Sequence, residues 1–215
     1  MSTTNAVTQT NDFKKIVLER RSIKSYEPSV KISHEEMTEI LNEATHAPSS
    51  INFQPWRFLV IESDEAKAKL SQLAPFNRQK IETSAAVIAI FGDLKNVQYA
   101  EEIFTRNVQL GYMPAEVKEQ VLPTSLGYYE NLSDQARRDI VMTDCGLVAM
   151  QLMLVARAHG YETNPMGGYE KDLIAEVFGM EKDRYAPVML VSIGKAADNG
   201  FPSMRLPIDR VAEWK

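Results

Sequence analysis

The stretch from residue 133 to 159 restricts this chain more than any other. Ser133 can cap a helix and Gly160 can stop one. Between them Val141, Met142, Leu147, Val148, Met150, Leu152, Met153, Leu154 and Val155 leave almost no polar side. A helix that is apolar all round is stable in water only when it is enclosed all round. Either the rest of the chain packs around it, or a second copy supplies part of the cover; periodicity alone favours neither. With 215 residues to work with, one core is the simpler reading. Continuous apolar runs fall far short of the roughly 18 to 20 residues that span a bilayer, so no membrane segment is expected. The polar start, MSTTNAVTQTND, lacks the features of a targeting signal. A flexible tail over residues 1–11 and a cytoplasmic location are the corresponding expectations.

Other elements can be placed around that helix. Residues 12–20 carry Phe13, Ile16 and Val17 at helical spacing. Ser33 followed by Glu36 has the form of a capping box, and Met37, Ile40, Leu41 and Ala44 give one apolar face up to Pro48. WRFLVIES, AAVIAIFGD and APVMLVSIGK read as three buried strands. DEAKAKLSQLA and FNRQKIETS are helical in composition, with a break at Pro75, and residues 171–180 form another short helix. From 94 to about 129 the pattern weakens around Gly111 and Pro114, as in a helical lid; after Gly200 the proline-flanked tail reads as an extended arm. No strand leads into G-x-G-x-x-G or a P-loop, which disfavours a nucleotide-binding doubly wound sheet. An α+β architecture, with a mostly antiparallel sheet flanked by helices, is expected.

The net charge of −5 excludes nucleic acid as a general partner, so any anion must be gripped locally. Arg20, Arg21, Ser22 and Lys24 could clamp a phosphate monoester by charge-assisted bonds, although this stretch taken alone reads first as a solvated helix end. Arg205 gains weight only from company. Asn77 and Lys80, three apart, can reach one point and suit a planar heterocycle with imide edges. In NPMGGY, Gly167 and Gly168 let backbone approach a ligand, or simply make a turn. HAPSSINFQPWR, residues 46–57, is unusually dense in hydroxyls and carboxamides for a connector. The three histidines and Cys145 form no metal-ligand spacing, and Cys145 reads as a small buried residue.

Taken in order, RRSIKSY, APSSINFQPWRF, FNRQK, NPMGGY and SMRLP resemble the flavin-dependent nitroreductase family over nearly the whole chain. That resemblance implies a single nitroreductase-like domain over residues 1–215, assembled as a homodimer with two FMN molecules in the subunit interface. The long helix would lie in the dimer core, and the arm over about 200–215 would cross to the partner. Arg20 and Arg205 match the phosphate-binding arginines; Arg21, Ser22 and Lys24 match the rest of the first clamp, Lys24 reaching the pyrimidine edge. Asn77 and Lys80 match residues that bond the isoalloxazine ring. Met166, Gly167 and Gly168 match the loop whose backbone N–H faces N5, and Pro48, Ser49, Ser50 and Asn52 match the segment offered by the other subunit. No catalytic side chain is expected, because the flavin carries the chemistry: NADH or NADPH reduces it, and a nitroaromatic, quinone or similar acceptor reoxidises it in the same pocket, a ping-pong cycle. A specialised enoate or aldehyde reductase, a dehalogenase or a non-catalytic flavin redox sensor are the alternatives. Two departures stand out: Gly167 where some relatives have an acid, and Ser203 where some have a lysine.

Overall fold

A computed structural model describes residues 9–215; residues 1–8 of the expected tail lie outside them. Within the described part, the Thr10 N–H donates to the Ala158 carbonyl at 3.1 Å, which ties this end to the long helix.

The sheet has four strands in the order β1-β2-β4-β3, all antiparallel: β1 (Trp56–Ile61), β2 (Ala86–Asp93), β3 (Glu162–Met166) and β4 (Tyr185–Gly194). Every residue of β2 is buried because both faces are covered, so its side chains alternate between two cores. Ile88 and Ile90 point into one, with Trp56, Val191 and Ile193; Val87, Ala89 and Phe91 point into the other, with Ile61, Leu190 and Ile174. The first core is closed by α2 (His34–Ala44) and α7 (Asp134–Ala158), the second by α3 (Asp64–Leu73), α4 (Arg78–Thr83) and α8 (Lys171–Val177). Three strands were expected from sequence, and β3 is the addition. It forms at the sheet edge, where Pro165 can be accommodated. Its outer side is covered by the chain after α1 (Phe13–Glu19): Ser22 bridges Thr163, the Ile23 N–H donates to the Thr163 carbonyl at 3.2 Å, and Asn164 Nδ2 donates to the Ile23 carbonyl at 2.7 Å.

α7 is capped as expected. Ser133 Oγ accepts from the Ala136 N–H at 3.2 Å, and Gly160, at φ +82°, ends the helix with its N–H on the Arg157 carbonyl. Its length and composition would suffice to cross a membrane, contrary to the reading of short apolar runs. Its packing is that of a core helix: Val141, Cys145, Val148, Leu152 and Ala156 press onto the sheet. The approach is so close that a Cβ on Gly92 would stand 2.3 Å from Val141 Cγ1. Cys145 is the small buried residue expected, its thiol pushed up to about 12 by burial. Enclosure is nevertheless incomplete, for Leu147 and Met150 on the opposite side are 44% and 40% exposed in the single chain.

Elsewhere the reading needs small corrections. The Ser33 hydroxyl caps α2 by accepting from the Glu36 N–H, but the Glu36 carboxylate accepts instead from Tyr161 Oη at 2.7 Å, tying α2 to the end of α7. α2 stops at Ala44, short of Pro48, and α8 stops at Val177. The weak region holds two helices, α5 (Ala100–Gln109) and α6 (Ala115–Glu130), packed over a third cluster of Phe53, Phe104, Leu122 and Tyr129. The arm from Gly200 onward is exposed and, apart from a 3-10 turn at Ile208–Arg210, extended, with Phe201, Met204, Leu206, Ile208, Val211 and Trp214 all at least 60% accessible.

Candidate functional site

Covering the β3 edge carries the RRSIK segment to one end of the sheet, and the arm returns to the same place. Gly200, at φ +62°, lies so near this segment that a Cβ there would stand 2.7 Å from Arg21 Cβ. Lys24 Nζ then sits 5.0 Å from the centre of the Phe201 ring. Five residues on, Arg205 comes within electrostatic range of Arg20. Among the described residues Arg20 Nη1 is buried without a hydrogen-bond partner, and burial, then Arg205, then Arg21 lower its pKa. An orphaned guanidinium donor beside two more guanidinium groups is an arrangement that an anion completes. Arg21 is turned back on the carbonyls of Leu18 and Arg20. Arg205 is folded over Ser203, donating to its Oγ at 2.7 Å, so Ser203 orients this arginine where some relatives place a second cation.

Beside these cations lies a second set. Asn77 Nδ2 donates to the Gly168 carbonyl at 2.8 Å, and Lys80 Nζ donates to Asn77 Oδ1 at 2.7 Å. The amide is thus fixed between the glycine loop and a lysine. Burial, then the charge of Lys24, lowers the Lys80 pKa, so the two ammonium groups converge. Gly167 and Gly168 have ordinary φ; a Cβ at Gly167 would meet nothing within 4 Å, and one at Gly168 only Asn77 Nδ2 at 3.8 Å. Their missing side chains therefore leave open space rather than satisfy a backbone need. The Met166 side chain turns into the second core, leaving only its backbone to serve a ligand.

Arg20, Arg21, Ser22, Lys24, Asn77, Lys80, Gly167, Gly168 and Arg205 thus gather at one end of the sheet. Pro48, Ser49, Ser50 and Asn52 do not join them. Their segment lies between α7 and the α5–α6 pair, and the side chains outside it that bond its backbone are Asp144 and Arg57. It also concentrates the backbone strain of the described residues. Ile51 (φ +53°), Asn52 (+57°) and Gln54 (+43°) are the non-glycine residues at positive φ among the described residues. For a β-branched residue such as Ile51 this costs about 1–3 kcal/mol, a cost that persists where surrounding structure imposes it and that clusters at functional sites. Ile51 also lines a hollow of about 490 Å³ with Gln120, Val121, Thr124, Ser125 and Tyr128 of α6.

Asp144 was missed at the sequence level. The available signal was a lone charge in the otherwise uncharged run from Val141 to Val155. Arg57, Asp93 and Arg184 were missed as well. Asp93, fully buried, holds Arg57 Nη2 at 3.1 Å and Arg184 Nη2 at 2.9 Å, while the Arg57 side chain stacks on Tyr99.

The fold is thus an α+β domain whose antiparallel sheet carries a cation-rich cradle and a fixed amide at one end. Residues 17–195 match the model of the nitroreductase family, and the chain belongs to that family. It is 60% identical over 207 residues to "Putative NAD(P)H nitroreductase YdgI" of Bacillus subtilis, covering 96% of this chain and 99% of that protein. It is 35% identical to a "CLA biosynthesis enone reductase" of Lactiplantibacillus plantarum, covering 91% and 90%. Its fold superposes with a TM-score of 0.96 on a crystal structure from Exiguobacterium sibiricum described as a "putative nitroreductase in complex with FMN", at 60% identity and covering 97% of this chain and all of that one.

Proposed function

We propose that this chain is an FMN-dependent oxidoreductase that uses NADH or NADPH to reduce nitroaromatics, quinones or related acceptors. The observation that carries this is the buried, unpartnered Arg20 Nη1 held among Arg21 and Arg205, with the fixed Asn77–Lys80 pair beside it. Arg20, Arg21 and Arg205, with the Ser22 hydroxyl, would hold the phosphate. Lys24 and Lys80 would face the polar edge of the ring and stabilise the negative charge that reduction places there. Asn77, its orientation set by Gly168 and Lys80, would bond the same edge, and the Gly167–Gly168 backbone would approach the ring's centre. FMN, when bound, supplies the hydride chemistry, so none of these side chains need be a catalytic acid or base. Donor and acceptor would occupy the open space at Gly167 in turn, a ping-pong cycle.

Residues 1–215 would act as one domain in a homodimer, working in the cytoplasm. Two features of the single chain support the dimer: the exposed Leu147 and Met150 on an otherwise buried helix, and an arm whose large apolar side chains lie in solvent. In such a dimer Pro48, Ser49, Ser50 and Asn52 would face the partner's cofactor, which accounts for their distance from the cations of their own chain, and α5 with α6 would roof the acceptor site. The likeness to an enone reductase favours one second reading, a specialised reductase of conjugated carbonyls.

The visible spectrum of the purified protein tests the proposal. Flavin absorbance that bleaches with NADH or NADPH and recovers on adding an acceptor is expected. Protein that stays colourless after incubation with FMN would refute it, and flavin that neither nicotinamide bleaches would favour a sensor. Rates with a nitroaromatic, a quinone and an enone then separate the general from the specialised reductase.

A further inference from the structure

We propose that Asp144, in the middle of α7, is a positioning residue for the segment 49–54, holding its strained backbone in the conformation that presents Ser49, Ser50 and Asn52 to the cofactor. This rests on the FMN reading above. Asp144 is 4% exposed, and both carboxylate oxygens accept from the single N–H of Ser50, each at 3.1 Å. Among the described residues it has no salt-bridge partner, and its helix neighbours Val141, Cys145 and Val148 are apolar core. A carboxylate buried without a counter-cation opposes folding, and burial raises its pKa accordingly. The core gains nothing from a charge at this point that a neutral residue would not give.

What the carboxylate does hold is one end of the strained segment. The other end is also held by a charged side chain: Arg57 Nη1 donates to the carbonyls of Gln54 and Trp56 at 3.0 and 2.7 Å, and Arg57 is itself fixed by the fully buried Asp93. All the non-glycine positive-φ residues of the described chain, Ile51, Asn52 and Gln54, fall between these two anchors. A sequence with no glycine at those positions keeps such a backbone only if it is clamped. Asp144 and Arg57 are the clamp.

The test compares Asp144→Asn and Arg57→Lys with the wild type and with Arg20→Ala, all as full-length chains titrated with FMN. Melting temperature without FMN and amide hydrogen exchange are read in parallel. For Asp144→Asn the FMN dissociation constant should rise at least fivefold, while the melting temperature is unchanged or higher and exchange accelerates over 49–54 but not over 145–156. Arg57→Lys should weaken FMN binding and loosen the same segment. A lowered melting temperature with faster exchange throughout α7 would make Asp144 a structural residue and overturn the proposal if Arg57→Lys also left FMN affinity unchanged. Wild-type affinity and exchange in both variants, with Arg20→Ala impaired, would overturn this inference alone. Wild-type protein that bound no FMN would overturn the functional reading and this inference with it.

Discussion

The two sides of α7 and the ends of the sheet follow opposite rules. Against β2, the middle of α7 is apolar and interlocked: Val148 and Leu152 are fully buried, and Gly92 makes room for Val141. At the sheet end and in the 49–54 segment, by contrast, Arg20 Nη1 lacks a partner and Asp144 a counter-charge among the described residues, and Ile51 sits at φ +53°. Both regions are specified by the same chain, so the second is not poor folding. At Arg20 and in the 49–54 segment, local rules are broken where a ligand or another chain would complete them.

The sharpest way to break that comparison is to damage the satisfied side. Leu152→Ala should cost about 2–5 kcal/mol of stability, measured by urea unfolding, with little change in the FMN affinity of the protein that remains folded. An equal loss of FMN binding would show that core and site are not separable. On the unsatisfied side the expectation reverses. Arg20→Ala should leave the urea-unfolding free energy of the FMN-free chain unchanged or slightly raised, because it relieves the charge repulsion with Arg21 and Arg205. It should weaken FMN binding by about 1.5–3 kcal/mol, the range for hydrogen bonds to charged groups, read by fluorescence titration. Unaltered affinity would remove the phosphate assignment.

Gly200→Ala probes the hinge between the two regions. It forces a side chain into a positive-φ position and against Arg21, which should cost about 1–2 kcal/mol locally. The arm carrying Arg205 should detach, seen as faster proteolysis beyond residue 200 and weaker FMN retention, while the core melts as before. The smallest effect is expected from Gly167→Glu. A side chain there meets nothing, so stability should change by less than about 0.5 kcal/mol. A carboxylate in that space should nevertheless lower the flavin reduction potential, and a fall in melting temperature would show that the space is not open.

How much was legible in the sequence follows the same division. α7, its caps, three strands and the burial of Cys145 were readable because propensity, periodicity and packing agree there. β3 was not, because Asn164, Pro165 and the two glycines after it read as a turn; its pairing comes from β4 on one side and the RRSIK segment on the other, a tertiary effect. The convergence of Arg20 with Arg205, and of Lys24 with Lys80, could be expected only through resemblance, since 184 residues of chain intervene in the first case. The 49–54 segment showed its polarity in sequence but not its strain, for nothing in Ile51 announces a left-handed backbone. Asp144 was hidden by the apolar residues around it.

The segment that carries Arg20, Arg21, Ser22 and Lys24 also seals the β3 edge, through Ser22, Ile23 and Asn164. An uncovered strand edge is a template for pairing with other chains. Any change that loosens these residues would therefore strip an anion grip and bare a sticky border in one step. If that grip holds the cofactor as proposed, cofactor loss and self-association would be coupled, and chain emptied of its ligand for long periods should be lost first to aggregation rather than to unfolding of its core.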